Sequence, residues 1–491
     1  MHGKSFWSLA LTIAGGLLLA GNASWADDKG QGSKGNEAGD DRATRLLQVI
    51  PVPVSTDNNT AGGLYSFDIS WVDQKTETYY LADRSNKAVD ILDAADPGKV
   101  TQLKASPSFA GVSPPAFATA TAGPNGVVTG GHCLFVTDAP SRVVSFDTNF
   151  FPPKQISDVH TSTSPNRADE LAYDPKDGLL LVINNADTPP FGTFIKVTKA
   201  TCVLTPPTAA NRITFDAAHG VDARNGAEQP VWEPVTGKFY LSIPQIGPTA
   251  SHGGVVRITP NATSVAPADI FGVNFCSPAG LTVGPRQDLF IGCNLVFDTA
   301  GNVWDPNGTV TAAPNDVIID AKDGSKDTRV LGVGAGDEVW FNAGDGNYYA
   351  TGSGSPFRPL PAATAKGATP LGVVDAKNQK VLQQLTTYNV PALLTGPASG
   401  QHPAGTAHSV AADAENNHIF VPLGACRTAA PQRNSTVRPD VSRSTGTPTR
   451  TPGTPTTTRS ISFRQCVAAK IGRDTLFIDA RAAERVSDPP L

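Results

Sequence analysis

Residues 337–349, DEVWFNAGDGNYY, decide the fold. Two carboxylates precede a short apolar run, a polar turn containing Gly follows, and a second aromatic run leads away from it. Short runs rich in Val, Ile, Phe and Tyr, bounded by Gly, Asp, Asn or Pro, are strand chemistry. The plan recurs from residue 64 onward about every 40 to 50 residues, the period of propeller blades. Its units begin at Phe67, Pro124, Asp169, Glu228, Ser277, Asp337 and His408. The last reads HSVAADAENNHIFVPLGAC, is interrupted, and resumes with CVAAK at 466–470. That last unit has no evident fourth strand, whereas 45–54, RLLQVIPVPV, is a strand with no neighbour in sequence. Pro51 and Pro53 suit an edge. Pairing the two chain ends there would remove the open edges of the ring. The expected fold is therefore an all-β, seven-bladed β-propeller whose N-terminal strand closes the last blade, a single domain over 43–481.

Asp93, Asp320 and Asp375 each follow an apolar pair, and Asp147 a Ser-Phe pair, at an outer hairpin. Carboxylates at such places accept turn N–H groups, so these acids are expected to be structural.

Residues 1–26 carry Lys4, an apolar run over 6–20 and small residues Ser24 and Ala26, the pattern of a bacterial-type export signal cleaved after Ala26. The run is shorter than the roughly 20 residues a membrane helix needs. A periplasmic or secreted, soluble, monomeric protein without a membrane span is expected. Removing Lys4 takes the formal charge from −5 to −6, 38 bases against 44 acids, and nothing resembles a nucleic-acid-binding surface. Residues 27–42 and the Thr/Pro/Arg/Ser insert 427–460 hold almost no apolar side chains and are expected to be disordered, with 482–491 as a tail. Six Cys in an oxidising compartment imply three disulfides. The repeat register makes Cys276 and Cys293 partners, Cys426 and Cys466 flank the insert, and Cys133 and Cys202 remain in neighbouring blades.

The loops entering the inner strands and those leaving the second strands share one rim of a propeller's channel. Aligned units place Asp68, Gly126, Asp169, Glu170, Glu228, Ala279, Asp337, Glu338 and His408 at the start of the inner strands. Asp83, Asp138, Asn184, Asn185 and Asn294 stand at the second-strand ends. Carboxylates crowded round one axis must take up protons, pair with cations or bind a metal; hard oxygen ligands favour Ca²⁺ or Mg²⁺, whereas the imidazole of His408 admits a transition metal. Because side chains alternate along a strand, Asp337 is expected to face the channel with Asp169, Glu228 and His408, and Glu338 a neighbouring blade. No H-E-x-x-H, G-x-S-x-G or phosphate-cradling motif occurs.

SNKAVDILDA, AHSVAADAENNHIFVPLGA and LGVVDAKNQKVLQQL resemble the YVTN-type repeats of exported bacterial propellers. PNGVVTGGHCLFVTDAPSRVVSFD and SPAGLTVGPRQDLFIGCN resemble blades of the gluconolactonase and senescence-marker protein family, calcium-dependent lactone hydrolases. That second resemblance implies a metal held by Asn125, in its N-G turn, and by Asp68 in place of a Glu. Ala279 stands where the family has its Asp, so the role would pass to Glu170, Glu228 or Asp337. Two functions are thus in view. The first is capture of a small ligand, cation or extracytoplasmic protein at the rim without chemistry. The alternative is a calcium-dependent lactonase or esterase.

Overall fold

The computed structural model describes residues 43–58, 64, 66–112, 118–303, 315–334, 336–352, 371–385, 407–423 and 474–479, all within the compact unit Arg42–Leu491. The export signal, the linker 27–42, the insert, the tail and the Cys426 and Cys466 pair lie outside the described residues.

The chain forms an all-β propeller. Six sheets each take their strands in sequence order, and their inner strands are Ser70–Asp73, Val127–Gly130, Leu171–Asp174, Pro230–Glu233, Cys276–Val283 and Gly336–Asn342. We call these blades one to six. Each continues outward through antiparallel neighbours, in blade one Thr78–Asp83, Ala88–Asp93 and Thr101–Leu103. A further sheet draws on both ends of the chain. It runs from Ala411–Asp413 through His418–Leu423 and Asp474–Asp479 to Arg45–Ile50, with Arg45 opposite Asp479 and Ile50 opposite Thr475. The isolated N-terminal strand thus takes the outer edge expected of it. One boundary differs from expectation: the third strand of this closing sheet is Asp474–Asp479, DTLFID, and not 466–470, which lie outside the described residues. The contiguous apolar Leu-Phe-Ile run gives 474–479 the stronger strand character.

Local chemistry explains the hairpins. Asp73 Oδ1 accepts the N–H groups of Lys75 and Thr76 at 2.9 and 3.1 Å, and Asp174, Glu233 and Asp413 serve the equivalent turns of their sheets. On the outer hairpins Asp93, Asp147, Asp320 and Asp375 accept from the residue two further on, as expected. The core lies between neighbouring sheets. Tyr79 stacks on Phe420 at 4.5 Å between blade one and the closing sheet, and Phe290 on Tyr348 at 4.5 Å between blades five and six.

Disulfides join Cys133 to Cys202 and Cys276 to Cys293, with Cα separations of 5.4 and 5.2 Å. They fit an oxidising compartment. No helix among the described residues is long and apolar enough to cross a membrane.

Leu46, 7% exposed, packs from the N-terminal strand against Tyr349, Leu371, Val410 and Val421. Leu46→Asp is expected to lower unfolding stability by about 3 kcal/mol in urea titration, because it buries an unpaired charge. A loss below about 0.5 kcal/mol, typical of a surface change, would contradict closure by this strand.

Candidate functional site at the channel rim

Backbone hydrogen bonds between neighbouring inner strands fix which residues are equivalent. The N–H of Ile69 donates to Asn125 O (3.2 Å), that of Gly126 to Asp169 O (3.1 Å), and that of Gln229 to Ala279 O (3.4 Å). Within blades the N–H groups of Asp68, Asn125, Asp169 and Glu228 all donate to the second strand in the same way. The first column of the rim is therefore Asp68, Asn125, Asp169, Glu228 and Ala279, joined by Asp337 and His408. The second is Ile69, Gly126, Glu170, Gln229, Gly280, Glu338 and Ser409. Asn125, rather than Gly126, is thus the rim member of blade two. Gly126 and Gly280 sit where the next inner strand comes close: a Cβ there would lie 2.7 Å from Asp169 O and 2.9 Å from Asp337 O.

The first column forms a charge network. His408 bridges Asp68 (Nε2 to Oδ1, 2.8 Å) and Asp337 (Nδ1 to Oδ2, 2.9 Å). Arg84 donates to the Asp68 carboxylate and, through Nε, to Asn125 Oδ1 at 2.9 Å, while its Nη2 lies 4.0 Å from Asp169 Oδ1. Arg167 Nη2 donates to Asp169 Oδ2 at 2.7 Å and its Nε to Asn185 Oδ1 at 3.3 Å. Asn125 Nδ2 is spent on the carbonyls of Ala122 and Ala168. Arg84 and Arg167 escaped the sequence reading, which looked for acids and amides. The signal was there: in ADRSN an arginine directly follows the second-strand acid Asp83, and in NRAD one precedes the rim acid Asp169 by two residues.

Burial alone would raise the Asp68 carboxyl, but Arg84 and His408 hold it well below the usual carboxylate range. Burial and the neighbouring acids raise Asp169 to about 6 against the pull of Arg167. Burial, with Asp337 and Asp169 adding repulsion, raises Glu228 to about 8, and burial beside Asp169 and Glu228 lifts Glu170 well above its ordinary value. His408, despite burial, is raised to about 10 by Asp337 and Asp68.

Glu338 stands apart from this network. It accepts hydrogen bonds from Ser409 Oγ and from the N–H of Val410 (3.1 Å) and Ser70 (3.3 Å), and so clamps blade six to the closing sheet and blade one. It is a structural clamp, while Asp337 faces the channel network, as alternation along the strand required. Three other expected rim members are turned into the fold. Asp83 holds Asn86, Asp138 binds Arg142 Nη1 at 3.0 Å, and Asn184 bonds Thr161 and Ser141. Asp83 and Asp138 secure their own turns, as second-strand carboxylates do when a turn N–H or an arginine lies within reach, whereas Asn184 ties blade three to Ser141 and Thr161 of blade two. Asn185 does join the rim, with Nδ2 3.4 Å from Glu228 Oε2. His132 lies beside Cys133 and Cys202, whose sulfurs are spent in the disulfide.

Glu170 is 6% exposed, and its Oε2 is buried with no hydrogen-bond partner among the described residues, as are Asp169 Oδ1 and Glu338 Oε1.

The network implies a definite pH response. Glu228 and His408 both have folded values above their ordinary 4.5 and 6.5, so the stability they contribute is complete below those values and is lost as pH rises through about 8 and about 10. Thermal melts should show Tm falling between about pH 5 and about pH 9, and Glu228→Gln should flatten the acidic half of that decline. A Tm that rises over this range would contradict the charge assignment.

No family model matches the chain, and no curated protein matches it. Among solved structures, one of Kuenenia stuttgartiensis hydrazine synthase is similar with a TM-score of 0.51 and 13% identity, over 76% of this chain and 95% of that one. A chain of a mitotic checkpoint complex aligns with a TM-score of 0.46 and 9% identity over 81% and 96%, a likeness that carries no argument. At such identity the first shows the fold alone: this chain has the β-propeller fold.

Proposed function

We propose that this protein is an exported, non-catalytic binding propeller, and that its channel rim captures a small cationic ligand at Glu170 and Glu228. The closing sheet is counted as the seventh blade, which completes the ring round that channel. The observation that carries the reading is the state of the rim acids. Asp68, Asp169 and Asp337 are matched by Arg84, Arg167 and His408. Glu338 is held by Ser409 and Val410. Glu170 Oε2 has no partner among the described residues; Asp169 Oδ1 and Glu338 Oε1 share that state, but their carboxylates are held through the other oxygen, and Glu228 has a single long contact to Asn185. Buried polar groups are nearly always satisfied, so an orphan acid beside a partly exposed one invites a ligand that supplies positive charge.

The lactonase resemblance finds less support. The calcium donors it implies are engaged, Asp68 and Asn125 by Arg84, and Ala279 is a buried methyl with no ligand atom. The Arg84 guanidinium supplies positive charge to both of these donors. Any Ca²⁺ bound to the rim would belong at Glu170 and Glu228.

The test is a thermal scan of the mature protein with Ca²⁺, Mg²⁺ and a set of organic cations. A ligand at about a hundred times its Kd stabilises by about 2.7 kcal/mol, and Glu170→Gln and Glu228→Gln should each abolish that shift. The reading fails if no cation raises Tm, or if the shift survives both substitutions.

A further inference from the structure

The end of the propeller opposite the channel rim carries an apolar corner. In blade two the third and fourth strands, Arg142–Asp147 and Lys154–His160, are joined by a hairpin whose tip reads NFFPP over 149–153. Asp147 stands opposite Cys133 and Lys154, at the start of the second strand, whereas the rim lies beyond that strand's other end, Asp138. Phe150 is 51% exposed and Phe151 76%, the latter the most exposed large apolar side chain among the described residues. Isolated apolar side chains at a surface are ordinary, but two adjacent phenylalanines on one tip leave a patch in water that a partner can cover.

The tip is fastened to its neighbour. Thr148 donates its N–H (2.9 Å) and its hydroxyl (3.0 Å) to His132 O, next to Cys133. Cys133 is bridged to Cys202 in the turn 199–202 of blade three, and Val203, 42% exposed, follows it. The disulfide thus holds the phenylalanine hairpin beside a turn that carries lysine. The Lys154 ammonium lies 5.5 Å from the centre of the Phe150 ring. Lys199 Nζ donates to the carbonyls of Pro175 and Lys176, 3.1 Å each, and Lys196 to that of Asp177. These acceptors are neutral: the lysine ion pairs among the described residues are those of Lys104 and Lys326. Of the acids in these hairpins, Asp147 and Asp174 accept turn N–H groups, and Asp177 is exposed.

We propose that this corner docks the protein on an anionic lipid surface, with Phe150 and Phe151 entering the headgroup region and Lys154, Lys176, Lys196 and Lys199 meeting lipid phosphates. Shape and charge decide the class of partner. The phenylalanines project from a hairpin tip, and a lipid surface takes up a projecting apolar group without needing a complementary pocket. The ammonium groups beside them keep their charge unpaired by carboxylates, which is what attracts an anionic leaflet. Docking at this end leaves the rim facing away from the membrane.

Flotation of the mature protein with liposomes tests this, using phosphatidylcholine alone and an equimolar mixture with phosphatidylglycerol. The protein should float with the anionic liposomes, stay behind with the neutral ones, and be released as salt screens the lysines. Phe150→Ser combined with Phe151→Ser lies at exposed positions and should keep the native Tm, while weakening partitioning at least about tenfold. Lys154→Ala and Lys199→Ala should each weaken it about fivefold, the effect of one ammonium at an anionic surface. Phe151→Trp should add a fluorescence component that shifts to the blue with anionic liposomes. The proposal is overturned by absence of flotation, by equal flotation with both liposomes, or by flotation that survives the double serine substitution. It is also overturned if the protein self-associates in analytical ultracentrifugation and the double serine substitution abolishes that, since the corner would then join copies of this chain.

Discussion

Carboxylates brought together round one axis and away from water cannot all stay ionised without compensation. The rim of this propeller depends on how that constraint is met. Asp68, Asp169 and Asp337 are matched by Arg84, Arg167 and His408, through contacts that include 2.7 Å from Arg167 to Asp169 and 2.9 Å from His408 to Asp337. The glutamates are left to meet it by holding protons, Glu228 with a value near 8 and Glu170 higher than usual. The same contacts tie blade one to blades two, three and six and to the closing sheet, so the electrostatic solution is also part of how the ring is held together.

A second constraint operates one residue deeper. Each inner strand passes close to the next, and its second-column side chain accepts an N–H from the neighbour wherever its chemistry allows. Gln229, Glu338 and Ser409 fulfil this role with three different functional groups, which marks it as a requirement of the architecture. Glu170 is placed for the same duty and meets Pro230. Unsatisfied buried acceptors are costly, on the order of 1–3 kcal/mol.

The fold was largely legible in the sequence. The recurrence of the DEVWFNAGDGNYY plan gave the blades, and the orphan strand 45–54 gave the closure, because strand periodicity and an unpaired edge leave few alternatives. The pairing of Cys276 with Cys293 followed from the antiparallel register. The direction of Asp337 and Glu338 followed from alternation. The role of the arginines was not read, since Arg84 and Arg167 lie in loops whose course no periodicity dictates, and their guanidinium groups reach across blades. For the same reason the alignment counts Asp83, Asp138 and Asn184 as rim ligands, although Asp83 and Asp138 secure their own turns and Asn184 binds blade two. Glu170 and Glu338 look alike in sequence, each following an Asp, and only the residue on the adjacent blade, Pro230 or Val410, separates an open acid from a structural one.

The central claim is that the rim aspartates are neutralised by internal cations while burial raises the Glu170 and Glu228 carboxyls, Glu228 to about 8, so that both resist ionisation. Difference infrared spectroscopy at neutral pH, comparing the unmodified protein with Glu170→Gln and with Glu228→Gln, tests it most directly. Each substitution is predicted to remove one protonated carboxylic acid band. A difference spectrum showing instead the loss of an ionised carboxylate in both variants would contradict this picture of the rim.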